Sequence, residues 1–473
     1  MKKKILSLLL TGVLAVSSLA GCGGSSSEGT STDSETATES ETADGGDSDS
    51  GKKKINLWAF TDEVPGMIQK YIEAHPDFPY EINSTIIATT DGAYQPALDS
   101  ALIAGGAEQP DIYCAEAAFV LKYSKGDMQD YAMPYEDLGI DVSSMLESSK
   151  IAKYASEIGT NKDGKIDGLG YQATGGTYIY RRSIAKEVFG TDEPKEISKI
   201  IGGGSGKWDD FWKAAETLAG KGVAIVSGDG DVWHAVENSS DVGWLDENGQ
   251  LQIDPKREAF LDISKDLTDK GWSNQTQDWQ DAWFADMKGE GSKPVFGFFG
   301  PAWLINYTLA PNCGGEKEGE GTYGDWAVCD SPIGFFWGGT WLFANKNMDS
   351  EKVSAVKDLI EWITLDASED GLQYKWANGT LNGEGGTKDA VAAGAVMEKS
   401  DGKLDFLGGQ DMFEYFVPAN DYANGSNLTQ YDESINQIWR DQVRAYAAGE
   451  KDRETALKDF KQTVSDNLGI SSK

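Results

Sequence analysis

Between Ile55 and Tyr113 the hydrophobic pattern switches repeatedly between two periods. Ile55-Asn56-Leu57-Trp58-Ala59-Phe60 reads as a short strand. Val64, Met67, Ile68, Tyr71 and Ile72 follow at helical spacing and stop before Pro76. Tyr80 to Ala88 reads as a second strand and Ala93 to Ala104 as a second helix, halted by Gly105-Gly106. Pro110-Asp111-Ile112-Tyr113 then opens a third strand. Strands separated by helices are crossover units, so the chain is predicted to fold as an α/β layer around a mainly parallel sheet. Ligands of such sheets sit beyond the carboxyl ends of the strands. Phe60, Thr61, Asp62 and Glu63 occupy one such end, and Ala115 and Glu116 another.

A second constraint is the stretch from Val295 to Ala344. Its apolar runs are short, rich in Val, Ile, Phe and Trp, and bounded by Gly and Pro, which predicts buried strands. Trp303, Trp337 and Trp341 stand beside glycines or a proline. Indole next to thin backbone forms a flat apolar wall that a ligand can approach closely. Between Val223 and Trp283 the chain also mixes Trp233, Trp244, Trp272, Trp279 and Trp283 with Asn, Asp, Gln and Ser. That mixture suits a polyhydroxylated ligand, whose apolar face stacks on indole while amides and carboxylates take its hydroxyls. A place in the core is open to each of these tryptophans.

The formal charge of the 473-residue chain is -35. Such a surface repels nucleic acid phosphates and anionic lipid, and favours a neutral or cationic ligand. Lys2, Lys3 and Lys4 precede the apolar run Ile5 to Val16, which is too short for a permanent membrane span. Leu19-Ala20-Gly21-Cys22 then resembles a bacterial lipobox, which implies cleavage before Cys22 and acylation of that residue. Residues 22–54 are almost wholly Gly, Ser, Thr, Ala, Asp and Glu before a final Lys52-Lys53-Lys54, and are expected to form a disordered acidic linker with a reach of roughly 30 Å. The chain is therefore expected to be exported and tethered to the outer face of the cell membrane. In an oxidising compartment, Cys114, Cys313 and Cys329 allow one disulfide. Cys313 and Cys329 close the shortest ring, worth on the order of 3 kcal/mol in the loop-entropy account, and are the expected pair.

Several tempting motifs fail. Asn161, Asp163 and Asp167 offer oxygens, but Ile166 stands where a calcium loop needs Gly, and no Glu falls at its twelfth position. Asp163-Gly164 is instead a hairpin signal. Gly202 to Lys207 looks like a phosphate loop, yet Ile201 and Trp208 occupy positions that require Gly and Ser or Thr. No CxxC pair points to zinc. No metal or cofactor is expected. Later, Ser350 to Thr364 is predicted helical, and Tyr374 to Gly379 a loop. Two closing amphipathic helices carry Ile435, Ile438, Trp439, Val443 and Tyr446, then Leu457, Phe460, Val464 and Leu468.

Taken in order, the lipobox, the acidic linker, Pro110-Asp111-Ile112, Asp163-Gly164-Lys165-Ile166-Asp167-Gly168-Leu169, Gly300-Pro301-Ala302-Trp303, Asp330-Ser331-Pro332, Gly338-Gly339-Thr340-Trp341 and the helix pair around Ala447-Ala448-Gly449 resemble the family 1 extracellular solute-binding proteins. These are lipoprotein receptors of carbohydrate ABC importers with a maltose-binding-like fold. The resemblance implies a two-lobe, type II periplasmic-binding-protein-like α/β architecture with a hinge and an inter-lobe cleft. It places one lobe at 55–170 plus 293–365 and the other at 171–292 plus 366–473, after a signal peptide at 1–21. It also implies a monomer that captures a sugar without cutting it and hands it to a permease.

The candidate stacking residues are Trp303, Trp341, Trp279, Trp376, Trp337 and Trp233. Asp62, Glu116, Asp281 and Tyr178 are the candidate polar partners. A tethered glycoside hydrolase, which needs two suitably spaced carboxylates, is the principal rival. A binder of another solute, such as a peptide or polyamine, is the third reading.

Overall fold

The computed structural model describes residues 53–89, 92–383 and 385–472. The leader, Cys22 and the linker as far as Lys52 lie outside the described residues. The described chain belongs to one compact unit. In chain order its strands are β1 (Lys53–Ala59), β2 (Tyr80–Ile86), β3 (Ile112–Glu116), β4 (Ala132–Met133), β5 (Gly168–Gly170), β6 (Thr177–Arg181), β7 (Val226–Gly228), β8 (Ser273–Thr276), β9 (Gly297–Gly300), β10 (Trp326–Cys329) and β11 (Thr340–Asn345).

The first lobe is built on a sheet of order β2-β1-β3-β11-β4, with β5 also paired to β11. β1 runs parallel to β2 and β3, as crossover helices at Glu63–Ala74 and Tyr94–Ala104 require. β11 returns antiparallel and sets Thr340 opposite Glu116 and Trp341 opposite Ala115. The buried Asp111, at the foot of β3, accepts from the Asn56 amide at 2.8 Å and pairs with Lys352 at 2.8 Å. That contact explains an acidic residue in an otherwise apolar strand opening.

The second lobe has its own sheet, β10-β6-β9, with β7 and β8 paired in parallel beside it. Both β9 and β10 pair antiparallel with β6. The change of sheet in the chain's return therefore falls between Cys329 and Thr340, not at residue 293 as expected, because the apolar runs at 297–300 and 326–329 complete β6 on either side. Two connections lie side by side where the chain passes between sheets. Gly176 donates to the Phe335 carbonyl at 2.9 Å, and Trp337 to that of Thr174 at 3.0 Å. A third segment joins them, with the Ala173 amide on the Ala390 carbonyl at 3.2 Å. This bundle of crossing backbone is the hinge region.

Other local expectations change. Residues Ala302–Leu304 are α-helical and Ile305–Leu309 form a π-helical turn, so part of the presumed strand stretch is helix. Leu372–Ala377 is a helix that buries Leu372, Trp376 and Ala377, not a loop. Three apolar contacts outweighed the Gly and Asn that suggested a loop there.

Cys114, Cys313 and Cys329 are separate buried thiols, and the expected disulfide is not formed. Cys313 donates its thiol to the Gly315 carbonyl at 3.0 Å, and its own carbonyl receives the Thr322 amide at 2.8 Å. Cys329 lies at the far end of β10, roughly 10 Å beyond Trp326 at the usual strand rise. The loop thus brings Thr322, not Cys329, to Cys313. Asn161 and Asp167 bond to each other at 2.8 Å, and Asn161 also accepts the Asp163 and Lys165 amides. Those oxygens serve the hairpin at Gly164. The glycine run after Ile201 packs on the hinge side of β10 through Gly204 to Ser331 at 2.8 Å and Gly206 to Pro332 at 2.9 Å.

Candidate binding site

A cavity of about 330 Å³ opens where the two lobes and the hinge meet. The first lobe contributes Glu116 and Ala117 from the end of β3. The hinge contributes Phe336, Trp337 and Gly338. Two helices of the second lobe complete it. From Asp229–Glu237 come Trp233, His234 and Glu237, and from Asp432–Ala447 come Asp432, Glu433, Asn436, Arg440 and Arg444. Spacings of three and four residues put each set on one helix face. The first of these helices is anchored at its start. The Asp231 carboxylate accepts from the amides of Ser227 at 3.0 Å and Gly228 at 2.9 Å, and from the Trp283 indole at 3.1 Å.

Trp337 is the aromatic wall of the cavity. Its ring stacks on His234 with centroids 3.5 Å apart and planes 14° from parallel. Trp303 meets it edge-on at 4.7 Å and donates its indole N–H to the Trp337 carbonyl at 3.0 Å. Trp279 lies nearly parallel to Trp303, 6.2 Å away and 10° from coplanar orientation. It is 52% exposed although it is a large apolar side chain. Its backbone has φ +65°, in the left-handed region that a non-glycine residue rarely adopts. Strain of that kind concentrates at ligand-contacting sites. Gly338 has φ +69°, and a Cβ there would come within 3.4 Å of the Trp303 indole. Glycine at 338 therefore lets the hinge backbone run beneath the ring.

Beneath the aromatics lies an ionic chain. His234 Nε2 is 3.3 Å from Asp278, which also takes Arg440 at 3.3 Å. Asp229 holds Arg440 at 3.9 Å and Arg444 at 3.7 Å. Burial draws the His234 imidazole toward its neutral form, against the pull of Asp278. Burial also works against the Asp278 charge, but His234, Arg440 and Arg444 outweigh it and hold this carboxyl well below the usual range. The acids that line the cavity behave differently. Burial, with Glu433 and Glu237 nearby, pushes Glu116 up to about 7. Burial raises Glu237 to about 7 and Asp432 to about 6, in both cases opposed by Arg257.

The structure sorts the sequence candidates. Trp337, Glu116 and Trp233 line the cavity, and Trp303 and Trp279 form the aromatic cluster beside it. Trp233 reaches the cavity only as an edge, since it is 1% exposed and packs on Phe260. Trp341 is a core residue of the first lobe, 2% exposed, with its indole N–H on the Ala155 carbonyl at 2.9 Å. It packs with Tyr113, Phe336 and Phe343 and does not line the cavity. Trp376 is buried against Tyr171, and Tyr178 is buried with its hydroxyl on the Ile225 carbonyl at 2.6 Å. Asp62 and Asp281 are exposed at helix starts and do not line the cavity. Sequence reasoning passed over Glu237, Asp432, Glu433, Asn436, Arg440 and Arg444. For all but Glu237 the signal was present as the polar face of the helix whose apolar face was read.

The sequence profile described as bacterial extracellular solute-binding protein matches residues 66–404. No curated protein matches by sequence. Among solved structures, one described as an extracellular solute-binding protein of family 1 superposes with a TM-score of 0.70 at 18% identity, over 88% of this chain and 99% of that one. The sugar-binding protein MalE of Xanthomonas citri gives 0.66 at 14% identity, over 88% and 98%. The galacto-N-biose-/lacto-N-biose I-binding protein of an ABC transporter from Bifidobacterium longum, solved with lacto-N-biose, gives 0.63 at 18% identity, over 90% and 100%. At these identities the likeness establishes the fold. The profile match, spanning most of the chain, places this protein in the family of bacterial extracellular solute-binding proteins.

Proposed function

We propose that this protein captures a carbohydrate, an oligosaccharide in particular, between its lobes and delivers it to the membrane permease of an ABC importer. The observation that carries this reading is the grouping of Trp279, Trp303 and Trp337 at a hinge cavity lined by carboxylates and amides. Indole faces take the apolar faces of pyranose rings, and Glu116, Glu237 and Asn436 take hydroxyls. Closure about the crossing segments 171–176 and 330–339 excludes water. The ligand then shifts the open-closed equilibrium by its extra affinity for the closed form. A lipid on Cys22 keeps the monomer at the outer face of the membrane, within reach of the permease. The solved relatives, which carry lacto-N-biose or are described as sugar-binding, support the choice of ligand class.

A thermal-shift screen against mono- and oligosaccharides tests the reading. Stabilisation by at least one saccharide is expected. A flat response to every saccharide, with stabilisation by a peptide or polyamine, would replace it.

A further inference from the structure

The charge balance of the cavity says more about the ligand than the aromatic wall does. Glu116, Glu237, Asp432, Glu433 and Asp441 all line it. Its two lining arginines are committed elsewhere, Arg440 to Asp278 at 3.3 Å and Arg444 to Asp229 at 3.7 Å. Arg257 lies behind Glu237 and Asp432 and acts on both carboxylates, 1% exposed, with its guanidinium on the backbone carbonyls of Glu237 and Val242 and over the Trp244 ring at 4.4 Å. Seven carboxylates thus face three guanidinium groups, and the surplus is negative. The Glu116 carboxylate accepts only backbone help, from the Ala118 amide at 2.8 Å. Glu237 accepts from Asn436, and Glu433 from Gln95 at 2.8 Å.

An independent observation concerns Asp432. Its side chain is 5% exposed and lines the cavity. One oxygen receives the Thr429 amide at 3.0 Å and the Thr429 hydroxyl at 2.5 Å. The other, Oδ2, is buried and meets no hydrogen-bond donor among the described residues. A buried carboxylate oxygen without a donor is costly, and a donor brought by the ligand would remove that cost.

We propose that the saccharide taken by this site carries a cationic nitrogen, an amine in place of a ring hydroxyl, held between Glu116 of the first lobe and Glu237, Asp432 and Glu433 of the second. The proposal rests on the carbohydrate reading and narrows it to amino sugars. An ammonium group brings up to three donors and one positive charge to acids that otherwise repel one another. Because the acids belong to different lobes, the same group draws the lobes together. A neutral sugar satisfies hydroxyl contacts but leaves the negative surplus in place.

Calorimetric titration of the full mature chain with matched saccharide pairs tests this. Each pair differs only in an amine for a hydroxyl, such as glucosamine against glucose and the β-1,4-linked glucosamine dimer against cellobiose. The N-acetylated dimer and spermidine serve as further probes. At least tenfold tighter binding of the amine member is expected in one pair or more, with the preference reduced at high salt and in Glu116→Gln. Glu433→Gln, at an exposed position, provides a second variant that leaves the core untouched and is expected to reduce the preference too. Equal or tighter binding of the hydroxyl or N-acetylated members overturns the amine assignment while the carbohydrate reading stands. Binding of spermidine with no saccharide response overturns both, as does the absence of any response.

Discussion

The imidazole of His234 lies flat on Trp337, with ring centroids 3.5 Å apart and planes 14° from parallel. This contact joins the hinge to the second lobe at the cavity wall. It also covers the ionic chain from His234 through Asp278 to Arg440. Trp337 therefore supplies both an indole in the cavity wall and a cover over the ring of His234, which lines the same cavity.

Replacing Trp337 by Ala removes both. Ligand affinity is expected to fall by about 1–3 kcal/mol, as for an anchoring aromatic, while folding is retained. The exposed His234 imidazole should titrate closer to its ordinary pKa, since burial is the largest cause of its depression. Calorimetry reads the first effect and NMR titration of the imidazole the second.

Trp341 and Trp303 separate the core from the aromatic cluster beside the cavity. Trp341→Ala should cost about 3–5 kcal/mol of stability, because a fully buried indole is lost and the Ala155 carbonyl loses its donor. Its surviving folded fraction should bind ligand normally. Trp303→Ala should do the opposite, weakening ligand binding with a much smaller loss of stability. Denaturant unfolding and calorimetry on the two variants make the comparison.

Asp278 is ionised in a nearly buried place, with its side chain 7% exposed. Its folded pKa lies below its unfolded value, so its contribution to stability is present at neutral pH and is lost as pH falls through the folded pKa. Asp278→Asn should destabilise the protein at pH 7 by about 3–5 kcal/mol, the range for breaking a buried ion pair. Urea unfolding at pH 7 measures it.

The acids raised by burial give the opposite pH slope. Glu116 and Glu237 titrate near 7, and Asp389, raised mainly by burial, near 8. Each binds a proton in the folded chain at pH values where the unfolded chain has already lost it. Stability of the ligand-free protein should therefore decline as pH rises from about 4.5 toward 8. Thermal unfolding at half-unit steps across that window checks the slope, which Glu116→Gln should make shallower.

Three thiols rather than a bridge make a direct chemical prediction. Iodoacetamide should label Cys114, Cys313 and Cys329 after unfolding without any reductant, and leave them unlabelled in the folded protein. Peptide mass mapping reads the result.

Much of the first lobe was legible because its elements are local. The period change between Ile55 and Tyr113 gives β1, β2, β3 and their two helices within a few residues. Non-local pairing was not legible. Nothing in the runs at 297–300 and 326–329 says that they flank β6 and not β11. Among the tryptophans, Trp337 stands next to Gly338 and lines the cavity, and Trp303, two residues after Pro301, packs beside it. Trp341 has the same kind of neighbours, yet its position within β11 turns it into the core. The acids and arginines of Asp432–Ala447 went unread because a polar helix face ordinarily meets water. Here it meets the cavity only because that helix packs near the one bearing His234.

The most direct test of capture without chemistry is calorimetric titration of the native protein and Trp337→Ala with the best saccharide, followed by chromatography of the recovered sugar. One site per chain, at least about fivefold weaker binding in the variant, and sugar recovered intact are predicted. Undiminished affinity in the folded variant, or a shortened sugar, would contradict the account.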